Sequence, residues 1–210
     1  DRDAFILAEE KGIYGIELDF RWTRDLVPVV VHDPDLERVF GMDVQTLEHE
    51  FESLKSLCNA VPSLQQVVER FGNKMHLMIE VKHEPYPNPE QQNTFLEAIF
   101  SNLIPGRDYH LISLDPEMLE LIECVPDHAK MPIAELNVGK LSEIALEKNY
   151  AGVLGHYFLL NGRLVQKHLE AGQKVGTGYP DSRNCMSREL NRGVNWLFSN
   201  DAGRLCLLYT

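Results

Sequence analysis

The chain is poor in the features that mark several large protein classes. Its four cysteines, Cys58, Cys124, Cys185 and Cys206, are scattered with no C-x-x-C spacing, so neither a zinc site nor a disulfide framework is signalled, and buried free thiols are expected. No apolar run approaches the roughly eighteen residues of a membrane-spanning helix, and no signal peptide is visible. The lack of disulfide spacing leans toward a cytoplasmic protein, while the missing signal peptide says little because the chain begins inside a helix. Positive charge is also scarce: 20 basic residues face 32 acidic ones, a net charge of -12 that argues against a nucleic-acid backbone or an anionic membrane as main partner. An anionic small molecule stays open, because a bound metal reverses the local field. Finally, no glycine-rich phosphate turn follows any expected strand, which counts against a doubly wound open sheet.

What is present is an ordinary globular composition, 44% hydrophobic and 25% charged over 210 residues, enough for one large domain spanning 1–210. Glu17 and Asp19 stand two apart in the β-forming run Gly15 to Phe20. Side chains alternate along a strand, so both carboxylates leave the same face while Ile16, Leu18 and Phe20 leave the other. Two acids on one face repel, and a hard divalent cation is the simplest group to hold them together. A reversal at 23–26 and a return strand over 28–32 would bring His32 back toward the pair.

Residues 34–61 read as a loop with one short helix over 46–56, followed by a helix capped by Ser63 and ending at Gly72. The strand over 75–82 then repeats the opening pattern, with Glu80 and Lys82 two apart on one face. From there strands expected at 109–114, 131–135, 151–158, 173–177 and 194–199 alternate with helices at 89–103, 116–124, 139–148, 162–171 and 182–192. Such alternation implies parallel βαβ units. Seven parallel strands follow, preceded by a helix ending at Gly12, which reads as a TIM-type (β/α)8 barrel without its first strand and with a last helix begun over 201–210.

Gly15-Ile-Glu-Leu-Asp-Phe20, Thr23 to Pro34 with its His-Asp-Pro ending, Pro62-Ser-Leu-Gln-Gln-Val67 and Ile79-Glu-Val-Lys82, in this order and spacing, resemble the glycerophosphodiester phosphodiesterase family. The resemblance runs along nearly the whole chain, is strongest over 5–82, and implies a TIM barrel. It implies that Glu17, Asp19 and Glu80 bind a divalent cation, Mg²⁺ or Ca²⁺, that His32 is an acid/base group, and that Lys82 lies near the substrate phosphate. The implied reaction is hydrolysis of a glycerophosphodiester to glycerol 3-phosphate and an alcohol, in which leaving-group protonation is worth about 10²–10⁴ in rate. The family pairs two histidines, the first in a His-Arg-Gly block that these 210 residues lack. The expectation is therefore that an N-terminal strand precedes the chain, and that the 210 residues alone hydrolyse little or nothing. Two alternatives follow: a non-catalytic barrel of this ancestry that binds a phosphoester or a partner protein, and a phospholipase D-like enzyme forming cyclic phosphates from lysophospholipids.

Other positions bear on substrate. Ser113-Leu114-Asp115 and Gly176-Thr-Gly-Tyr-Pro180 depart from the family's usual blocks, and Tyr179 is placed as a substitute aromatic wall. His156 and Glu135, at strand ends, are candidates for the barrel mouth. His83 is set aside because neighbours on a strand face opposite ways, and Trp22 and Trp196 are assigned to packing.

Overall fold

The computed structural model describes residues 2–180 and 182–203. It opens with helix α1 (Arg2–Glu10), strand β1 (Gly15–Trp22) and the short strand β2 (Pro28–Val30), antiparallel to β1 through Phe20↔Val30 and Trp22↔Pro28. The reversal between them is tied by Thr23, whose backbone N–H donates to Val27 O at 3.0 Å and whose hydroxyl donates to Asp25 Oδ1 at 2.6 Å.

Next come β3 (Asp35–Leu36), α2 (Glu37–Phe40), β4 (Met42–Gln45), a 3-10 turn and α3 (Phe51–Leu57). This segment corrects the expectation of a loop with a single helix. β3 and β4 are too short to show a period, yet their apolar residues Leu36, Met42 and Val44 join Leu54 and Val61 in a small satellite core. The return strand also ends at Val30 rather than at 32, because Val30 N–H donates to Pro62 O at 2.9 Å and the chain then turns away.

The regular part follows as α4 (Leu64–Phe71), β5 (His76–Val81), α5 (Pro89–Phe100), β6 (Tyr109–Ser113), α6 (Pro116–Leu121), β7 (Lys130–Ala134), α7 (Val138–Glu147), β8 (Gly152–His156), α8 (Gly162–Glu170), β9 (Lys174–Gly178), α9 (Arg183–Asn191) and β10 (Trp196–Phe198). Ser63 caps α4 with a reciprocal capping box through Gln66. α6 stops at Leu121, short of the expected 124, where Asn93 Nδ2 donates to the Leu121 carbonyl at 2.8 Å. The expected last helix falls mostly on residues 204–210, which lie outside the described residues together with Cys206. No helix among the described residues is long and apolar enough to cross a membrane.

One eight-stranded sheet runs in the order β10-β9-β8-β7-β6-β5-β1-β2, with β2 antiparallel at the edge and the other seven strands parallel. The sheet curls into a barrel wall: Trp196 on β10 reaches His76 on β5 at 4.6 Å and Tyr14, at the entry to β1, at 5.3 Å between ring centroids. The outward face carries the main core, where Leu18, Phe20, Leu77 and Ile79 meet Leu64, Val67 and Phe71 of α4 and Leu96 of α5. Inside the curl, Met78, Ile112, Met131 and Leu154 make a second apolar layer. Parallel strands bring all their C-terminal ends to one mouth, and that is where the candidate residues stand.

Candidate active site

β1 and β5 pair in the register Glu17↔Met78 and Asp19↔Glu80. Asp19 therefore lies directly across from Glu80, and Glu17 is two residues back on the same face. Each of the three offers a carboxylate oxygen within 4.8 Å of the others. The pleat and the register alone bring three like charges together.

Lys82 partly answers them. Its Nζ sits 2.6 Å from Asp19 Oδ1 and 2.6 Å from Glu80 Oε1, leaving one ammonium against three carboxyl groups. Glu17 opens on the cavity, yet burial of its carboxyl, followed by the charges of Asp19 and Glu80, pushes it up to about 8 against the pull of Lys82. Burial likewise raises Glu80, opposed by its bond to Lys82. Burial pulls the Lys82 ammonium down, but its two carboxylate partners carry it above its ordinary value.

Asp19 Oδ1 is buried and, although close to the ammonium, has no donor aligned on it. Distance makes the ion pair, whereas a hydrogen bond also needs direction. Three carboxylates, one with an orphaned buried oxygen, form an all-oxygen donor set of the kind a hard cation takes. Their spacing is within the roughly 4.6–5.2 Å that ligands on opposite sides of a Ca²⁺ ion span. The residues fit a divalent ion.

His32 lies just past β2 and lines the same cavity. Its Nδ1 is 2.7 Å from Asp33 Oδ1, and Asp33 Oδ2 accepts from Arg38 Nε at 2.5 Å. The Arg38 and His32 hydrogen bonds hold the Asp33 carboxyl down to about 2. A carboxylate can only accept, so Nδ1 carries a proton, and in the neutral ring Nε2 presents its lone pair. Asp33 thus orients the histidine, a role that the sequence reading missed although the residue is the next one along.

Two more residues escaped that reading. Arg21 Nε donates to His32 O at 2.9 Å, and its Nη1 donates to Glu84 Oε2 at 3.0 Å. Glu84 Oε1 in turn accepts the Trp22 backbone N–H at 2.7 Å. This clamp ties the His32 segment to the chain that follows Lys82. A signal was available: extending each period-two row by one step, Glu17 and Asp19 lead to Arg21, and Glu80 and Lys82 lead to Glu84.

The cavity, about 1140 Å³, also takes in Glu135, His156 and Tyr179 at its lining. Glu135 is exposed at the end of β7. His156 Nδ1 accepts the Phe158 N–H at 3.1 Å, which places its own proton on Nε2, and its ring lies 5.8 Å from that of Tyr179. His83 is turned away and bonds Asp115 Oδ2 at 2.6 Å. Trp22 is fully buried in the core. His76 lines the deeper cavity, where its ring is committed to Arg107 O at 2.8 Å and to His110 at 2.9 Å.

The sequence profile described as the glycerophosphoryl diester phosphodiesterase family matches residues 3–204. A glycerophosphodiester phosphodiesterase of Caldanaerobacter subterraneus subsp. tengcongensis is 25% identical over 94% of this chain and 86% of its own length. Among solved structures, a glycerophosphodiester phosphodiesterase from Thermotoga maritima superposes with a TM-score of 0.81 at 21% identity, covering 98% of this chain and 90% of that one. An Oleispira antarctica phosphodiesterase, solved in complex with the product sn-glycerol-3-phosphate, superposes with a TM-score of 0.79 at 19% identity, over 99% and 89% of the two chains. At these identities the superpositions speak for the barrel fold.

Proposed function

The chain belongs to the glycerophosphoryl diester phosphodiesterase family, a family of phosphoric diester hydrolases, and from that premise we propose that it hydrolyses a glycerophosphodiester to glycerol 3-phosphate and an alcohol with the help of a divalent cation. The observation that carries this reading is the meeting of Glu17, Asp19 and Glu80 beside Lys82 in the cavity that His32 lines. The glycerol phosphate found in the Oleispira relative is consistent with that product.

In this reading Glu17, Asp19 and Glu80 hold Mg²⁺ or Ca²⁺. When bound, the ion supplies positive charge that polarises the phosphoryl oxygens. With an ion held by the carboxylates, the Lys82 ammonium would be available to bind a phosphate oxygen. His32 uses its bare Nε2 as a proton acceptor, and Asp33 stabilises the imidazolium that results. Water oxygen forms a bond to phosphorus as the bond to the alcohol oxygen breaks, and the proton taken from water ends on the departing alkoxide. With a single histidine of the family's pair in these residues, one proton transfer lacks its imidazole, at a cost of about 10²–10⁴ in rate.

The test is ³¹P NMR of glycerophosphocholine incubated with the purified protein, with Mg²⁺ or Ca²⁺ and with chelator. Slow appearance of glycerol 3-phosphate that chelation stops and His32→Ala abolishes is the expected result. A cyclic phosphate product would replace hydrolysis by ring closure. Metal binding with no turnover above the chelated control would favour a non-catalytic phosphoester-binding barrel.

A further inference from the structure

A second cavity, of about 620 Å³, opens at the end of the barrel where the strands begin, away from the three carboxylates. Arg107 just before β6, His110 on β6, His128 just before β7 and Lys174 at the start of β9 line it. The chain carries 32 acidic residues against 20 basic ones, yet no carboxylate residue is in this lining among the described residues. Lys174 also lines the larger cavity, so it stands at the partition between the two.

Two kinds of unmet bonding capacity face this space. The Lys174 ammonium is half-buried beside the Trp196 ring, with Nζ 5.2 Å from its centroid, and no acid pairs with it among the described residues. A cation over an aromatic face recovers only part of what leaving water costs. Exposed Arg107 gives Nε and Nη2 to Asp108 at 2.7 and 2.9 Å, which leaves Nη1 to donate elsewhere. His110 supplies the opposite polarity. His76 Nδ1 donates to Arg107 O, so His76 Nε2 accepts from His110 Nδ1–H, and His110 Nε2 is a bare lone pair without a partner among the described residues. Burial first, then the charges of His76, Lys174 and His128, holds this imidazole far below its usual range and keeps it neutral. The residue is 1% exposed, so a group that meets the lone pair must come through the cavity that His110 lines.

We propose that this cavity is a second anion site, for a phosphate group that still carries one proton, either free hydrogen phosphate or a singly protonated monoester. Its anionic oxygens accept from the Lys174 ammonium and from Arg107 Nη1, while its P–O–H donates to His110 Nε2. Ionised carboxylates and sulfate have no proton to give at neutral pH and would set an oxygen against that lone pair. A neutral alcohol would satisfy His110 but leave Lys174 unmatched. The site does not depend on the hydrolase reading, because none of its residues belongs to the carboxylate mouth.

The experiment is calorimetry of the purified protein in EDTA at neutral pH and constant ionic strength, titrated with sodium phosphate, sodium sulfate or glycerol 3-phosphate. EDTA keeps phosphate held through a metal at the carboxylates out of the signal. Phosphate is expected to bind about tenfold or more tightly than sulfate, the effect of one mismatched buried acceptor. Lys174→Met should weaken phosphate about tenfold or more, and Arg107→Gln, at an exposed position, about two- to fivefold. Lys82→Met, at the distant mouth, should leave it within about twofold. Glycerol 3-phosphate binding that also needs Lys174 extends the site to monoesters, whereas its failure beside bound phosphate confines the site to the free ion; either result upholds the inference. No phosphate binding, or equal affinity for phosphate and sulfate, overturns it. Binding that Lys82→Met abolishes and Lys174→Met spares puts the phosphate at the carboxylate mouth and overturns it as well. Should Lys174→Met not fold, Arg107→Gln against Lys82→Met decides in the same way.

Discussion

Glu17→Gln separates a metal ligand from a merely structural acid, because the two roles predict opposite behaviour with and without the ion. Glu17 opens on the cavity and anchors no hydrogen bond or close ion pair among the described residues. The amide keeps its shape, and because the Glu17 carboxyl is pushed up to about 8 by burial and its acidic neighbours, near neutral pH without an ion it replaces a largely protonated group by a neutral one. In chelator the variant should therefore unfold at about the same temperature as the parent. With the ion at a hundred times its dissociation constant, the parent gains about 2.7 kcal/mol. For a domain of this size that is roughly 5–11 °C in Tm. Loss of an outer-shell partner alone weakens metal affinity about 10–100-fold, and losing a direct ligand should do no less. At the same ion concentration the variant then gains about 1.4 kcal/mol or less, about half the parent's shift. Thermal unfolding followed by circular dichroism in EDTA, in Mg²⁺ and in Ca²⁺ measures both quantities. The reasoning is refuted if the parent shows no ion-dependent shift, or if the variant shows the parent's full shift.

Acid should destabilise the protein from the opposite end of the barrel. His76 Nδ1 donates to Arg107 O, so its Nε2 must accept from His110 Nδ1–H, and a proton added to His76 breaks that link. Burial first, then the neighbouring cationic groups, holds His110 down to about 3, and burial also lowers His76. Both folded values lie below the unfolded one, so below about pH 6.5 the unfolded chain takes up protons that the folded chain refuses. Stability is then lost as pH falls, on the order of 1.4 kcal/mol per pH unit for His110. Urea unfolding between pH 7 and pH 5 should show the slope, His110→Gln should flatten it, and a flat profile in the parent would contradict the argument. Glu84→Gln tests the clamp. The Arg21–Glu84 side chains are only 13% and 9% exposed, and breaking a buried pair typically costs about 3–5 kcal/mol, reduced here to about 2–3 because the amide still accepts the Trp22 N–H. Tm should drop by roughly 5–10 °C, and a drop under about 2 °C would show the clamp to be idle.

The parts of this molecule that were legible in its sequence are those written by short periods. Seven parallel strands could be counted because each carries enough apolar residues between helices to show itself, and the carboxylate pair and the Glu80–Lys82 pair could be put on one face by the pleat. Register could not be read this way: nothing in two separate strands states that Asp19 sits across from Glu80, and the meeting of the three acids depends on it. The β3–β4 segment was lost for a different reason, since strands of two and four residues show no period and are held by a satellite core assembled from distant residues such as Leu54 and Val61. The exposed apolar residues after β6, β7 and β8 lie at the far limit of such reading. Leu114, Leu136 and Phe158 look in sequence like ordinary core residues just past a strand, and only the folded sheet shows that each ends in water. The charged half of the cavity thus comes from two strands with a readable alternation. The apolar residues of the cavity lining after β6, β7 and β9 come from loops with none, and they are the part of the site that a sequence pattern conceals best.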